Sequence, residues 1–141
     1  MAKIYLAAPW FTDGEKVFYL EVLNKLRAEG HEVYAPMEHE LENAWDMSNE
    51  EWGLKVFQSD IDAINNSEEV WVLNYGMYSD TGTAWECGYA YGIGKTVRQL
   101  LLTFGSEERT YSLMMINGCD EYDGMFNYLF NQNKEYNFEQ K

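Results

Sequence analysis

The segment Asp80-Thr-Gly-Thr-Ala-Trp-Glu86 sets two carboxylates around a glycine at the point where an apolar run hands over to a helical pattern. Gly82 has no Cβ and permits close backbone approach to a ligand. Glu86 falls within the first turn or two of the expected helix, where amide dipoles favour a carboxylate and keep it ionised and nucleophilic. The plainer role for such a glutamate is to offset the dipole. Asp60 lies three residues after Phe57 and four after Val56, at the margin of an apolar stripe, so it can face a crevice while Asp62 turns away. Its plainer role is that of a solvated helix acid. Tyr5 carries a phenol able to hydrogen-bond a carboxylate, and Trp10 and Phe11 offer flat faces to a planar ring, though aromatics also serve simply as core. Carboxylates, a phenol and two aromatic faces suit a ligand made of a sugar and a flat heterocycle, and carboxylate pairs are the tools of glycosidic chemistry.

Such residues must be positioned by elements that the pattern also reveals. Residues 2–8 form a short apolar run without helical spacing that ends at Pro9, which reads as a first strand. Thr12 with Glu15 makes a capping box, and Val17, Leu20, Leu23 and Leu26 follow at three-residue steps before Gly30. The alternating stretch His31 to Ala35 then supplies a second strand, so strand, helix and strand occupy about 35 residues, the size of a βαβ unit. Residues 37–51 are rich in acids without Lys or Arg, and read as an exposed loop and lid candidate. Behind Ser48, the residues Leu54, Phe57, Ile61 and Ile64 mark a second helix. Val70 to Tyr75 and Val97 to Phe104 read as buried strands, Gly82 to Gly94 as a helix, Leu113 to Ile116 as a fifth strand, and Tyr122 to Phe130 as a closing helix. The expected fold is α/β: one flavodoxin-like domain, a doubly wound five-stranded parallel sheet with helices on both faces. Ligands bind such sheets at the carboxyl ends of the strands, which selects the segments Ala8 to Asp13, Gly76 to Glu86 and Gly105 to Ser112.

Composition narrows the function classes. Twenty-four acids against ten Lys and Arg leave a formal charge of −14, which repels a polyanion and argues against nucleic-acid binding. No stretch reaches the roughly 20 apolar residues of a membrane helix and the start lacks a secretory signal, so the expectation is a soluble cytoplasmic protein. Cys87 and Cys119 have no CxxC spacing and read as reduced thiols, while His31 and His39 fit no ligand motif and read as structural. Neither GxGxxG nor GxxxxGK[ST] is present, which weakens dinucleotide, P-loop and flavin readings. No cofactor and no metal is expected.

The sequence resembles the nucleoside 2-deoxyribosyltransferase family over nearly its whole length. The matching stretches are KIYLAAPWFTD, SDIDAI around Asp60, DTGTAWECGYAYGIGK around Glu86, and YSLMM at Ser112. In the third, Asp80, Gly82, Thr83, Glu86, Gly88, Tyr89 and Ala90 stand where the family pattern has them. The resemblance implies that Glu86 attacks C1′ of a 2′-deoxynucleoside, with Tyr5 orienting it and Asp60 assisting proton transfer to the base. It also implies that Asp80 lies near the sugar 5′ end and that Trp10 and Phe11 wall the base site. Substrates are then 2′-deoxynucleosides and free nucleobases, and the chain is a homo-oligomer whose neighbouring subunit completes each site. Ser112-Leu113-Met114 stands where the family has a pattern like Asn-Leu-Met. Met114 matches, whereas Ser112 departs and is similar to related 2′-deoxynucleoside 5′-phosphate N-hydrolases. Asp80 opposes that alternative, because a carboxylate facing a dianion costs several kcal/mol in a partly desolvated site. Beyond these two enzyme readings, a nucleotide-sensing or flavodoxin-like binding module with the acids as surface charge is the reading from another class.

Overall fold

Strand alternation decides the layers. In the computed structural model, which describes residues 1–76, 79–102, 111–131 and 139–140, β1 (Lys3–Ala7) is buried at every residue after Lys3. Its successive side chains point to opposite faces of the sheet. Ile4 and Leu6 meet α1 (Asp13–Ala28) and α5 (Met125–Phe130) through Tyr19, Val22, Leu23, Leu26, Met125 and Tyr128. Tyr5 and Ala7 face the opposite layer of α2 (Asn49–Asn65), α3 (Thr81–Gly92) and α4 (Leu113–Asn117), among Ile64, Cys87, Ala90 and Met115.

The remaining strands are β2 (Glu32–Tyr34), β3 (Glu69–Asn74), β4 (Thr96–Leu101), β5 (Glu121–Gly124) and β6 (Glu139–Gln140), ordered β2-β1-β3-β4-β5-β6. The first five pair in parallel, giving the doubly wound sheet the sequence implies. Tyr5 stands opposite Tyr34 on β2 and Val70 on β3. A short antiparallel partner, β6, adds to the β5 edge, an addition that the sequence reading does not contain.

Caps fix where the helices begin. The Thr12 hydroxyl accepts from the Glu15 amide while the Glu15 carboxylate accepts from the Thr12 amide, so the expected capping box is present. Ser48 caps α2 through the Glu51 amide, and Gly30, at φ +94°, turns the chain out of α1. His31 accepts from the Ala2 amide at its Nδ1. Both cysteines are free and buried. No described helix is long and apolar enough to cross a membrane.

Three expectations are corrected. Leu113 to Ile116 is helix, because Ser112 caps it through the Met115 amide and an apolar run this short carries no decisive periodicity. The fifth strand is instead the polar segment Glu121–Gly124, held where Arg98 on β4 bonds to both Glu121 and Glu69, with Tyr122 in the strand rather than in the closing helix. The apolar stripes are also displaced. Val17 and Leu20 are exposed while Tyr19 and Val22 join the expected Leu23 and Leu26 in the α1 core, and α2 fully buries only Ile64 of its expected stripe, leaving Leu54 and Phe57 at the surface. Residues 103–110, including most of the expected crevice segment 105–112, and residues 132–138 of the tail lie outside the described residues.

Candidate active site

The parity of β1 that sends Tyr5 toward α2 and α3 assembles the site. Tyr5 is fully buried, and its hydroxyl donates a hydrogen bond to Oε2 of Glu86 on α3. Asp60 on α2, half-buried, acts electrostatically on both: its charge raises the Tyr5 phenol and the Glu86 carboxyl. The structure therefore brings together three of the predicted residues, from β1, α2 and α3.

Their electrostatics differ from the helix-dipole expectation for Glu86. Burial pushes its carboxyl up to about 7; the Tyr5 hydrogen bond opposes the shift, and the charges of Asp60 and Asp80 add to it. Loss of hydration in the crevice outweighs whatever the amide dipoles supply. Asp60 is pushed up to about 6, again by burial, with His39 and the Tyr5 hydroxyl both favouring its ionised form. Burial, then Glu86, then Asp60 hold the Tyr5 phenol far above its ordinary range, so it stays protonated and can only donate to the carboxylate. Two acids with values near neutrality beside one phenol can hold a proton on one and a negative charge on the other in the same crevice.

The other predicted residues occupy the surroundings. Asp80 is the N-cap of α3: its Oδ2 accepts from the Thr83 amide at 2.9 Å and from Thr83 Oγ1 at 3.1 Å. A Cβ at Gly82 would come within 3.1 Å of that same oxygen, so the missing side chain keeps the cap carboxylate clear. Trp10, half-buried, lies edge-on to Tyr19 with centroids 6.0 Å apart and stacks on Phe11, which is 72% exposed. The Glu15 carboxylate holds this turn by accepting from the amides of Phe11 and Thr12. Ser112 caps α4 through the Met115 amide, and Met114 is 84% exposed.

Two site residues escaped the sequence reading. Tyr34 stacks on Tyr5 with centroids 5.7 Å apart at 10°, and His39 stacks on Tyr34 at 4.2 Å and 2°. Strand register is the signal for Tyr34, since it pairs directly with Tyr5. For His39, whose charge acts on Asp60, no local motif exists; only the three-dimensional turn at residues 36–39 delivers it. Among the described residues no group of three His, Cys, Asp or Glu side chains is arranged to hold a metal ion.

A parallel sheet of this order, with a half-buried carboxylate on α3 bonded to a buried phenol, defines a flavodoxin-like α/β protein whose site suits nucleophilic and acid–base chemistry. Residues 4–135 match the family model for nucleoside 2-deoxyribosyltransferases, and the chain belongs to that family. Comparison with curated proteins found no match. Among solved structures, it is similar to a 2-deoxyribosyltransferase from the psychrotolerant bacterium Bacillus psychrosaccharolyticus, with 32% identity, 96% of this chain and 93% of the other covered, and a TM-score of 0.79. The fold is also shared with the CMP N-glycosidase BcmB of Clostridium botulinum (21% identity, 92% and 96% covered, TM-score 0.60). A conserved protein from Enterococcus faecalis V583 shares it as well (24% identity, 75% and 65% covered, TM-score 0.61). Family and first neighbour together support a glycosyl-transferring enzyme of nucleoside deoxyribosyl transfer, with nucleosides and nucleobases as its substrate class.

Proposed function

We propose that the protein exchanges the purine or pyrimidine base of a 2′-deoxynucleoside for another by double displacement through Glu86. The observation that carries this reading is the hydroxyl of buried Tyr5 bonded to the half-buried Glu86 carboxylate, with Asp60 beside the pair. A Glu86 carboxylate oxygen bonds to C1′ as the C1′–N bond breaks, the electron pair leaves with the base, and protonated Asp60 supplies its proton. A second base then attacks C1′, the C1′–O bond to Glu86 breaks, and Asp60 takes back a proton. Two inversions restore the starting configuration. The transition state is oxocarbenium-like, so an anion fixed beneath C1′ stabilises it more than the neutral substrate.

Around this centre, Trp10 and Phe11 serve the base. Asp80, whose cap bonds use Oδ2, offers Oδ1 to the sugar 5′-hydroxyl. Deoxyinosine incubated with cytosine should yield deoxycytidine, and a 2-fluoro-arabinosyl nucleoside should leave its sugar on Glu86 in a peptide map. Release of free 2-deoxyribose alone would favour N-glycoside hydrolysis, the reading that Ser112 leaves open. Label on another residue would end the mechanism.

A homo-oligomer belongs to the same proposal. Leu113 and Met114 on α4 are 76% and 84% exposed, and Leu54, Phe57 and Trp85 are exposed on α2 and α3, where the Phe57 and Trp85 rings lie 5.4 Å apart. Such a surface invites a second copy, which would receive Met114 at its own sugar site. A fully active monomer in sedimentation would contradict this.

A further inference from the structure

Two amides interrupt the apolar layer beneath α3 and α4. Asn74, the last residue of β3, and Gln99 of β4 are both fully buried. Both share the strand parity that points Val70, Val72 and Val97 at this layer. Asn74 Nδ2 donates to Gln99 Oε1 at 2.9 Å. Gln99 Nε2 donates to the carbonyl oxygen of Met115 in α4 at 2.6 Å and lies 3.4 Å from Sγ of Cys87, the residue after Glu86. On the other side, Asn74 Oδ1 accepts from the Gly76 amide at 3.0 Å and from Ser79 Oγ at 2.9 Å. Ser79 Oγ in turn accepts from the Tyr75 amide at 3.0 Å, and the Ser79 amide closes the turn on the Gly76 carbonyl at 3.0 Å. An unbroken chain of hydrogen bonds thus runs from the residue before Asp80 to the middle of α4.

Apolar side chains of this size would fill the same volume without desolvating four polar atoms. What the amides add is geometry, since a fully bonded buried network admits one arrangement of the elements it joins. The elements joined here are the loop that delivers Asp80 and the helix that carries Ser112 and Met114. We infer that the Asn74–Gln99 bridge is a positioning device that sets the spacing between Asp80 and α4, and through it the recognition of the sugar 5′ end. The inference rests on the proposed function for the identity of the ligand. If α4 serves a neighbouring copy, the bridge instead fixes how each copy presents α4 relative to its own Asp80, and so where α4 reaches the neighbour's site.

The test compares a 2′-deoxynucleoside with its 2′,5′-dideoxy counterpart in the wild type, Gln99→Leu, Gln99→Glu and Ser79→Ala. In Gln99→Leu, kcat/KM for the 5′-hydroxyl substrate should fall by on the order of 10- to 100-fold, mostly through KM. The dideoxy substrate should change little, so that discrimination between the two collapses. Gln99→Glu should recover it at pH values where the buried acid is protonated, since that form keeps an acceptor for Asn74 and a donor for Met115. An equal loss on both substrates, or none, would assign the amides to stability alone and overturn the inference. If Gln99→Leu does not fold, Ser79→Ala decides by the same ratio and by amide hydrogen exchange of the ligand-free protein. Faster exchange at Met115 and Ile116 supports the bridge, and unchanged exchange there refutes it. That last measurement needs no turnover, so it separates failure of the bridge from a wild type that lacks base exchange.

Discussion

Replacing Glu86 by glutamine should make the protein more stable above neutral pH while abolishing turnover. Glu86 titrates at about 7 in the fold against an ordinary 4.5, so the folded state holds this proton more tightly than the unfolded chain. For an acid shifted upward, the native state is favoured fully below pH 4.5, and that advantage is lost as pH rises from there through 7. The gap of roughly 2.5 units, at about 1.4 kcal/mol each, makes ionised Glu86 unfavourable by on the order of 3 kcal/mol at pH 8. Glutamine keeps the shape and an acceptor for the Tyr5 hydroxyl without the charge. Glu86→Gln should therefore gain up to about 3 kcal/mol at pH 8, a rise of about 10 °C in Tm for a chain of this size, and under about 1 kcal/mol at pH 5. Thermal and urea melts of both proteins at the two pH values measure this directly, because the difference between them cancels every other titrating group. A variant less stable than the wild type at pH 8, or a gain independent of pH, would show that burial does not hold the Glu86 carboxyl up and would refute the electrostatic account of the site.

Tyr5→Phe keeps the ring on Tyr34 but removes the donor that lowers the Glu86 value. Losing a hydrogen bond to a charged group, worth about 1.5–3 kcal/mol, should raise the Glu86 value by about 1–2 units, which moves the alkaline limb of the kcat/KM profile up by that amount, leaves the acid limb in place and lowers the maximum. Because the proposed mechanism needs Glu86 ionised and Asp60 protonated, with Glu86 the higher of the two, wild-type activity against pH should be a bell whose acid limb follows Asp60 and whose alkaline limb follows Glu86, centred at about 6.5, and a flat profile from pH 5 to 8 would rule the pair out. Asp60→Asn should lower kcat by about 10²–10⁴-fold for an ordinary base and much less for an activated leaving group that needs no proton; equal losses would remove the proton-transfer role. His39→Asn removes the charge that favours ionised Asp60 and should shift the acid limb upward, a displacement absent if His39 only packs on Tyr34.

How much of this was legible in the chain depends on whether a residue's partner is local. The strand at Tyr5, the capped helix behind Thr12 and the turn at Asp80 are spelled by nearby residues, and the parallel sheet follows from their alternation. The displaced stripes on α1 and α2 were not legible, because three-residue spacing fits several faces of a helix and only the neighbouring layer chooses among them. Leu113 to Ile116 failed for the same reason, and β5 failed because its polar residues are justified by Arg98, which lies 23 positions away from Glu121. At the site, the residue types were readable but their charge states were not. The raised values of Glu86 and Asp60 come from burial between three elements, a quantity that no linear spacing contains. His39 and the Asn74–Gln99 pair belong to the same class of long-range fact.

The raised acids bear on why such a site would catalyse glycosyl transfer rather than only bind a nucleoside. In the free protein Glu86 is disfavoured as an anion by burial and by the neighbouring charges of Asp60 and Asp80. A neutral ligand does little to relieve that, and by displacing water it makes the anion less favourable still. Positive charge developing at C1′ reverses the sign of the largest interaction, since the buried anion then meets a cation in a poorly screened crevice. In the proposed mechanism, the penalty that destabilises the resting fold is thus relieved selectively as the C1′–N bond breaks, which is the differential stabilisation that catalysis requires. The Tyr5 hydrogen bond lowers the Glu86 value and, in that mechanism, would keep enough of Glu86 ionised near neutrality for attack to begin. A carboxylate at its ordinary pKa, solvated on the outside of α3, would be ionised more fully and would gain far less when the cation forms.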